Sequence, residues 1–530
     1  MKNIVKGIGV CLTILLISTG CSSKSSSTDD TESSVPQVTP DEISAKNNVV
    51  TINIIDASSG KAADSATVQF EGTALDIEDD PMPAIMKTDD TGLVTFYSKV
   101  GEHVKVLVSK AGYISTGIEL NIADGINRRT VNLVKFDPDN PPSGLLMKAD
   151  SVDMTNGVVE DDKNITLEDN ATLSLPAGTK LMTASGKEAV GVVKIQTTYY
   201  SAEKTEYFPG GLSVRLAEPV QTPDGSTEDV DFISAGFTSI EMVDSEGSTI
   251  TDFVDGALKI TMTIPDSTIN PQTGTDVAEG DVIPIWSYDV TKGIWSYSDK
   301  DGTVVLQNGK LVVEYEAEHL SYWNLDWHYS PVCQPGTIDI GDLSNPTDII
   351  TSLEVYTTGF SRTVYDYQGE GKYELNNIPS TLPLTFTLKY DGEERDKLTN
   401  VILDNSNCSI TMNVDVATIV PKEPVSVKVV EQCSNGLHKQ AVPYVSVYMQ
   451  SGIAWNYAGL TATDGSAEIM LAPGNPDGSN IRAYAYGRGY TSDYASVSIP
   501  AGNTESHELV FIFGSEYDDY CTPTGATGGS

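Results

Sequence analysis

Positive charge is scarce in this chain. Thirty-three Lys and Arg stand against 74 Asp and Glu, a formal net charge of −41 over 530 residues. A polymer that acidic repels phosphate backbones and anionic headgroups, which excludes nucleic acid as a partner. Histidine is scarcer still: five residues leave few general bases. The sequence holds no Gly-x-Ser-x-Gly, no His-Glu-x-x-His, no phosphate-binding Gly-rich loop and no dinucleotide fingerprint. Its six Cys form no Cys-x-x-Cys pair and no cluster with zinc spacing. Long 3.6-residue periodicity is missing, so no long helix is expected. After Gly20 no apolar run is long enough to cross a bilayer.

What is present begins with an address. Lys2 and Lys6 precede an apolar run from Ile8 to Ile17, then Ser18-Thr19-Gly20 stand before Cys21. A basic start, a short apolar core and small residues at the cut describe a secretory signal over residues 1–20. The small residues before Cys resemble the lipobox of bacterial lipoproteins, with Ser18 where that family usually has Leu. The resemblance implies that Cys21 is diacylated and anchors the chain to a membrane. Loss of Lys2 and Lys6 would take the charge from −41 to −43. Residues 21–48 are rich in Ser, Thr and acid and read as a disordered tether. The expected location is the bacterial cell envelope, on the outer membrane or cell surface.

Beyond the tether, short runs rich in Val, Ile, Thr and aromatics alternate with Gly, Asp and Asn. That rhythm predicts an all-β chain of tandem β-sandwiches, transthyretin-like or Ig-like. Residues 49–136 carry Asp56 to Gly60 as a first turn, Ala66-Thr67-Val68 in a strand, the turn Thr88-Asp89-Asp90-Thr91-Gly92, and Ala111-Gly112-Tyr113. These marks resemble the carboxypeptidase regulatory-like domain. Residues 424–514 repeat them with Thr463-Asp464-Gly465 and Arg488-Gly489-Tyr490, and residues 333–415 look like a degenerate third copy. The resemblance implies accessory modules without catalytic residues. Residues 515–530 are expected to be a tail, disordered over Cys521 to Ser530.

The middle, residues 145–330, has a different order. Its marks are Pro176-Ala177-Gly178, Phe208-Pro209-Gly210, Gly280-Asp281, Trp286-Ser287-Tyr288-Asp289, Gly293 and Trp295, and His319-Leu320-Ser321 with Trp323-Asn324. It resembles the autoproteolytic domain of zonula-occludens and netrin-receptor proteins and the extracellular part of cartilage intermediate layer protein. Self-cleaving members carry His-Phe-Ser and break before the Ser. Carried over, Ser321 would attack the Leu320 carbonyl, His319 would move the proton, and water would hydrolyse the ester. Leu320 stands where the family has Phe. The favoured expectation is that His319 and Ser321 satisfy hydrogen bonds at a strand end.

Trp286, Trp295 and Trp323, with Tyr288, carry two further readings. Core packing is favoured; the alternative is an aromatic platform for a glycan. Acidic loops at Glu78-Asp79-Asp80, Asp137-Pro138-Asp139-Asn140 and Asp299-Lys300-Asp301-Gly302 suit calcium in type, but none matches the twelve-residue calcium loop, and no cofactor is expected. With Cys11 in the signal and Cys21 lipidated, four Cys remain, and sequence alone allows three pairings. Module boundaries favour Cys333–Cys408 and Cys433–Cys521, which suits an oxidising location. Together these features describe a non-enzymatic, lipid-anchored protein that presents sandwiches to a glycan or protein ligand. Self-cleavage after Leu320 and glycan adhesion are the alternatives.

Overall fold

The computed structural model describes residues 48–214, 230–290, 293–317, 319–329, 336–339, 351–366, 372–375, 378–379, 382–390, 393–403, 409–412, 423–451, 454–471 and 474–522. Cys21, Cys333 and Cys408 lie outside them. Among the described residues strands joined by turns and loops make up the chain, and the helical segments are the short 3-10 turns Thr205–Tyr207 and Ser515–Tyr517.

The first sandwich has seven strands: β1 (Val49–Asp56), β2 (Thr67–Gly72), β3 (Ile85–Lys87), β4 (Leu93–Tyr97), β5 (His103–Ser109), β6 (Thr116–Asn121) and β7 (Ile126–Leu133). One sheet runs β4-β1-β7, with β1 antiparallel to β4 and parallel to β7; the other runs β3-β2-β5-β6. Ile52, Ile54, Val68, Val94, Phe96, Val106 and Val131 fill the space between them. The Thr88–Gly92 turn is set by two residues. The Thr88 hydroxyl donates to the Ala63 carbonyl and accepts from the Ala66 amide. Gly92 has φ +67°, and a Cβ there would collide with the Ile54 carbonyl, so only glycine fits.

The same strand order occurs twice more. In the last sandwich Glu423–Gln432 lies between Ser466–Leu471 (antiparallel) and His507–Ile512 (parallel), and the facing sheet runs Ala454–Leu460, Ser446–Ser451, Ser479–Tyr484, Tyr494–Ile499. Thr461 and Gly465 repeat the roles of Thr88 and Gly92: Thr461 bonds the Val442 carbonyl and the Val445 amide, and Gly465 abuts the Val429 carbonyl. In the third sandwich Gly336–Asp339 pairs antiparallel with Lys372–Leu375 and parallel with Ser409–Thr411. Its facing sheet runs Phe360–Asp366, Thr351–Thr357, Leu384–Tyr390, Glu393–Val401.

Between the first and third sandwiches lies one continuous fourteen-stranded sheet folded over on itself. The fold-over is made by Ile294–Gln307, whose residues 294–303 run along Val282–Asp289 and whose residues 304–307 pair with Lys310–Ala317. The two halves enclose a core that includes Leu173, Ile260, Ile285, Val313, Trp323, Leu325 and Trp327. The strand Tyr322–Tyr329 is central, between Val230–Val243 and Val282–Asp289. Its opposite face joins a second core of Tyr200, Phe232, Phe237, Trp286 and Tyr288 that extends to Ile114 and Val134 of the first sandwich and Leu353, Val355 and Phe360 of the third. Covered on both faces, this strand is buried without exception from Tyr322 to Trp327, although Asn324 and Asp326 alternate with its apolar residues.

The first sandwich also touches the last. Val49, Ile77 and Tyr97 enter the last sandwich's core, and Leu93 meets Tyr448, Trp455, Tyr457 and Tyr484. The tail is ordered further than its composition predicts. Residues 515–522 turn back, Tyr517 and Tyr520 pack on Phe513, and Cys521 bonds Cys433. The disulfide ties down Cys521, the first residue of the stretch expected to be disordered.

Candidate functional site

His319-Leu320-Ser321 sits at the turn that joins Lys310–Ala317 to Tyr322–Tyr329. Two backbone contacts pin it to the strand Ile250–Val254: His319 bridges Asp252, and the Leu320 amide donates to the Thr251 carbonyl at 2.7 Å. Leu320 is half-buried against the middle core. Ser321 is buried, and its hydroxyl donates to the Tyr288 carbonyl at 2.9 Å. His319 is exposed, with its ring against Trp323 at 5.0 Å between centroids. Among the described contacts no hydrogen bond joins His319 to Ser321. In this geometry the hydroxyl proton is directed at a carbonyl on the neighbouring strand rather than at the imidazole.

The aromatic residues lie inside. Trp286, Tyr288, Trp295 and Trp323 are between 0 and 3% exposed, and Trp327 is 0%. A sugar platform needs a ring face open to water, so these four side chains do not form one; Trp286, Tyr288 and Trp295 lie in the core between the middle sheet and the two sandwiches, and Trp323 in the middle sheet's own core. The Trp286 indole donates to the Asp326 carbonyl at 3.1 Å and Trp327 to the Val282 carbonyl at 3.1 Å. Tyr288 packs on Trp295 at 5.0 Å. Gly210 makes that possible, because a Cβ there would stand 2.7 Å from the Tyr288 ring and 2.9 Å from the Trp295 nitrogen.

The acidic loops serve local structure or ion pairs. The Asp76 carboxylate accepts from the amides of Glu78 and Asp80, Glu78 pairs with Arg488, and Asp137 pairs with Lys135. Asp301 accepts from the Tyr297 hydroxyl at 2.6 Å. Among the described residues no group of three or more His, Cys, Asp or Glu is placed to hold a metal ion. Cys433 and Cys521 are joined by a disulfide.

Two polar constellations were not anticipated. One lies within the middle sheet. Asn324 and Asp326 are both 0% exposed on a strand that otherwise reads as core. The Ser234 hydroxyl donates to Asn324 Oδ1 at 2.7 Å, and Asn324 Nδ2 donates to Asp326 Oδ2. A bulge at Ser234/Gly236 interrupts the pairing of Val230–Val243 with this strand beside the pair. Among the described residues Asp326 Oδ1 has no hydrogen-bond partner, and burial holds the carboxyl well above its ordinary range, against a smaller lowering by Ser234. Nearby, burial also raises Glu241, although Tyr322 donates to it at 2.5 Å.

The other constellation is the seam between the first and last sandwiches. Arg482 forks onto Asp90 at 2.6 and 3.0 Å and reaches Asp89 at 3.0 Å. Arg488, 3% exposed, binds Glu431 with two nitrogens at 3.0 Å and Glu78 at 2.8 Å. Tyr484 donates to Asp89 at 2.7 Å, Thr51 bonds Tyr448 at 2.8 Å, and Tyr97 donates to the Tyr444 carbonyl at 2.6 Å. Tyr113 and Tyr490, the matched tyrosines of the two sandwiches, donate to Asp56 and Glu431 at the ends of matched strands.

The sequence matches no family model and no curated protein. Solved structures with some likeness include BcpA, the major pilin subunit of Bacillus cereus, at 9% identity, covering 88% of this chain and 99% of that one, with a TM-score of 0.15. They also include the full-length major pilin SpaD from Corynebacterium diphtheriae, at 9% identity over 88% and 98% with a TM-score of 0.14. A third is the Bacillus anthracis TIE protein, at 10% over 70% and 58% with a TM-score of 0.14. TM-scores this low carry no argument about what the chain is or does.

Proposed function

We propose that this is a non-enzymatic protein of the bacterial cell envelope, lipid-anchored through Cys21, that presents packed β-sandwiches to a partner. One observation carries the reading. Asp326, Tyr315 and Tyr322, whose burial holds their pKa well above the ordinary range, are enclosed in cores, and Tyr486 and Tyr490, raised likewise, are half-buried against the sandwich cores rather than set around an open cleft. Reactive sites place perturbed groups where substrate can reach them; here they sit where they specify packing. The resemblance of the sandwiches to carboxypeptidase regulatory-like modules supports the same accessory role. Metabolic labelling with a radioactive fatty acid tests the anchor, since label should vanish with Cys21→Ala. Surface proteolysis of intact cells separates an outward-facing protein from a periplasmic one.

Self-cleavage at Leu320/Ser321 is the competing reading. It requires the Ser321 hydroxyl to leave the Tyr288 carbonyl and turn on its own preceding peptide. Intact mass after boiling in denaturant, beside Ser321→Ala, decides it: one uncut chain in both samples is expected, and two fragments meeting at Leu320/Ser321 in the unmutated chain alone would establish cleavage.

A further inference from the structure

We propose that the outer face of the last sandwich is a docking surface for a paired-acid turn. Asp89-Asp90 is its built-in occupant, and the last sandwich is thereby a module held in place by charge and releasable by salt.

The face is built from one side of four strands. Tyr448 and Gln450, Trp455, Asn480, Arg482 and Tyr484, and Tyr494 stand on the side opposite the sandwich's own core of Val447, Ile481, Ala483 and Ala495. Arg482 lies over the rings of Trp455 at 5.0 Å and Tyr494 at 4.4 Å, and its guanidinium forks onto the two aspartates of the first sandwich. Stacking holds the planar fork in one orientation, which is what bidentate capture of a carboxylate needs. Asp90 responds as expected: its bond to Arg482 holds its carboxyl below the ordinary range.

The pairing has a direction written in the repeats. Aligning Thr88 with Thr461 and Gly92 with Gly465 sets Asp89-Asp90 against Ala462-Thr463, so the last sandwich lacks the acid pair. Aligning Gly112-Tyr113 with Gly489-Tyr490 sets Lys105 and Leu107 against Arg482 and Tyr484, and those two side chains are pressed against Gly293 of the middle sheet. Between the first and last sandwiches, acid pair and arginine face therefore each occur on one only. A second pair, Glu78 with Arg488, repeats the polarity, and Gly487 lets Asp76 approach, because a Cβ there would strike its carboxylate. The one described disulfide, Cys433–Cys521, closes within the last sandwich, so it adds no covalent tie to the first.

The test uses the full chain from residue 22 with a protease site inserted within residues 413–422, which join the third and last sandwiches. After cutting, the last sandwich should co-elute with the rest at about 0.1 M salt, where the screening length is about 10 Å, and separate at about 1 M, where it is about 3 Å. Asp89→Asn with Asp90→Asn should separate already at the lower salt. Lys180→Gln, which removes an exposed ion pair in the middle sheet, should not. Uncut variants are melted first; where the double variant does not fold, Arg482→Gln replaces it. Separation of the unmutated chain at about 0.1 M overturns the proposal. So does co-elution at about 1 M together with co-elution of the variant, which would assign the seam to its apolar contacts.

Discussion

Asp326→Asn separates a neutral buried acid from a hydrated one. Asp326 is 0% exposed, its Oδ1 has no hydrogen-bond partner among the described residues, and burial is the leading cause of its raised pKa. The unfolded chain titrates this carboxyl near pH 4. A group whose folded pKa is raised contributes stability that is fully present below the unfolded value and is lost as pH rises toward the folded one. Between those two values the folded state binds one proton more than the unfolded state, so stability falls by about 1.4 kcal/mol per pH unit from this residue alone. Asparagine keeps the shape and removes the proton. The difference between the unmutated chain and Asp326→Asn should therefore grow less favourable to the unmutated chain by about 1.4 kcal/mol per unit from about pH 5 upward. Glu241, also raised, is common to both chains and cancels to first order. Urea unfolding followed by tryptophan fluorescence is the assay, because Trp286, Trp295, Trp323 and Trp327 of the chain's five Trp report on the middle sheet. A difference that stays flat with pH would mean the carboxyl is ionised or reached by water, and the argument would fail.

Removing the disulfide with Cys433→Ala and Cys521→Ala should destabilise the last sandwich by about 4–5 kcal/mol on the chain-entropy account, given a separation of 88 residues. Calorimetry should show that transition move while the middle-sheet fluorescence transition stays. Gly210→Ala should cost at least about 1–2 kcal/mol from its left-handed backbone alone, since φ is +84°, with more from contact with Tyr288 and Trp295; urea midpoints measure it. All five Trp are at most 7% exposed, so iodide should quench native emission weakly and unfolded emission strongly. Strong quenching of the native protein, or a sugar-dependent change in its emission, would put a ring at the surface.

The all-β class and the turns were legible because they rest on local chemistry. Gly92 and Gly465 are needed where backbone passes backbone, and Thr88 and Thr461 tie the same turn in both copies. The disulfide between Cys433 and Cys521 followed from the length of a module. Asn324 and Asp326 were not legible, because alternating polar residues in a strand normally mark a solvent face. Here that face is closed by other modules, and Ser234, at a bulge in the neighbouring strand, donates to Asn324. The Asp89-Asp90 turn reads as an ordinary Asp-rich turn; its partner Arg482 is 392 residues away from Asp90.

Yet the seams leave a trace in the strands that fail to alternate. In β1 every residue but Ile55 is buried, and in β4 all five are. Val50, Ile52 and Ile54 face the first sandwich's own core, so Val49 and Thr51 need a second cover, and the last sandwich supplies it. The matched strand Glu423–Gln432 begins with two exposed residues and then alternates buried and exposed through Val429. Its outer side, with Ser426 and Lys428, is open to solvent. The two strands share a topology and differ in this respect, and the difference is the direction of docking: the first sandwich's strand is covered by the last sandwich, whereas Ser426 and Lys428 of the matched strand are exposed. Lys310–Ala317 alternates likewise on the outer surface of the folded sheet, whereas Val282–Asp289, on its inner half, has only its two end residues less than buried. A missing polar face therefore marks a strand with neighbours on both sides. It locates the contacts between modules without naming the residues that make them.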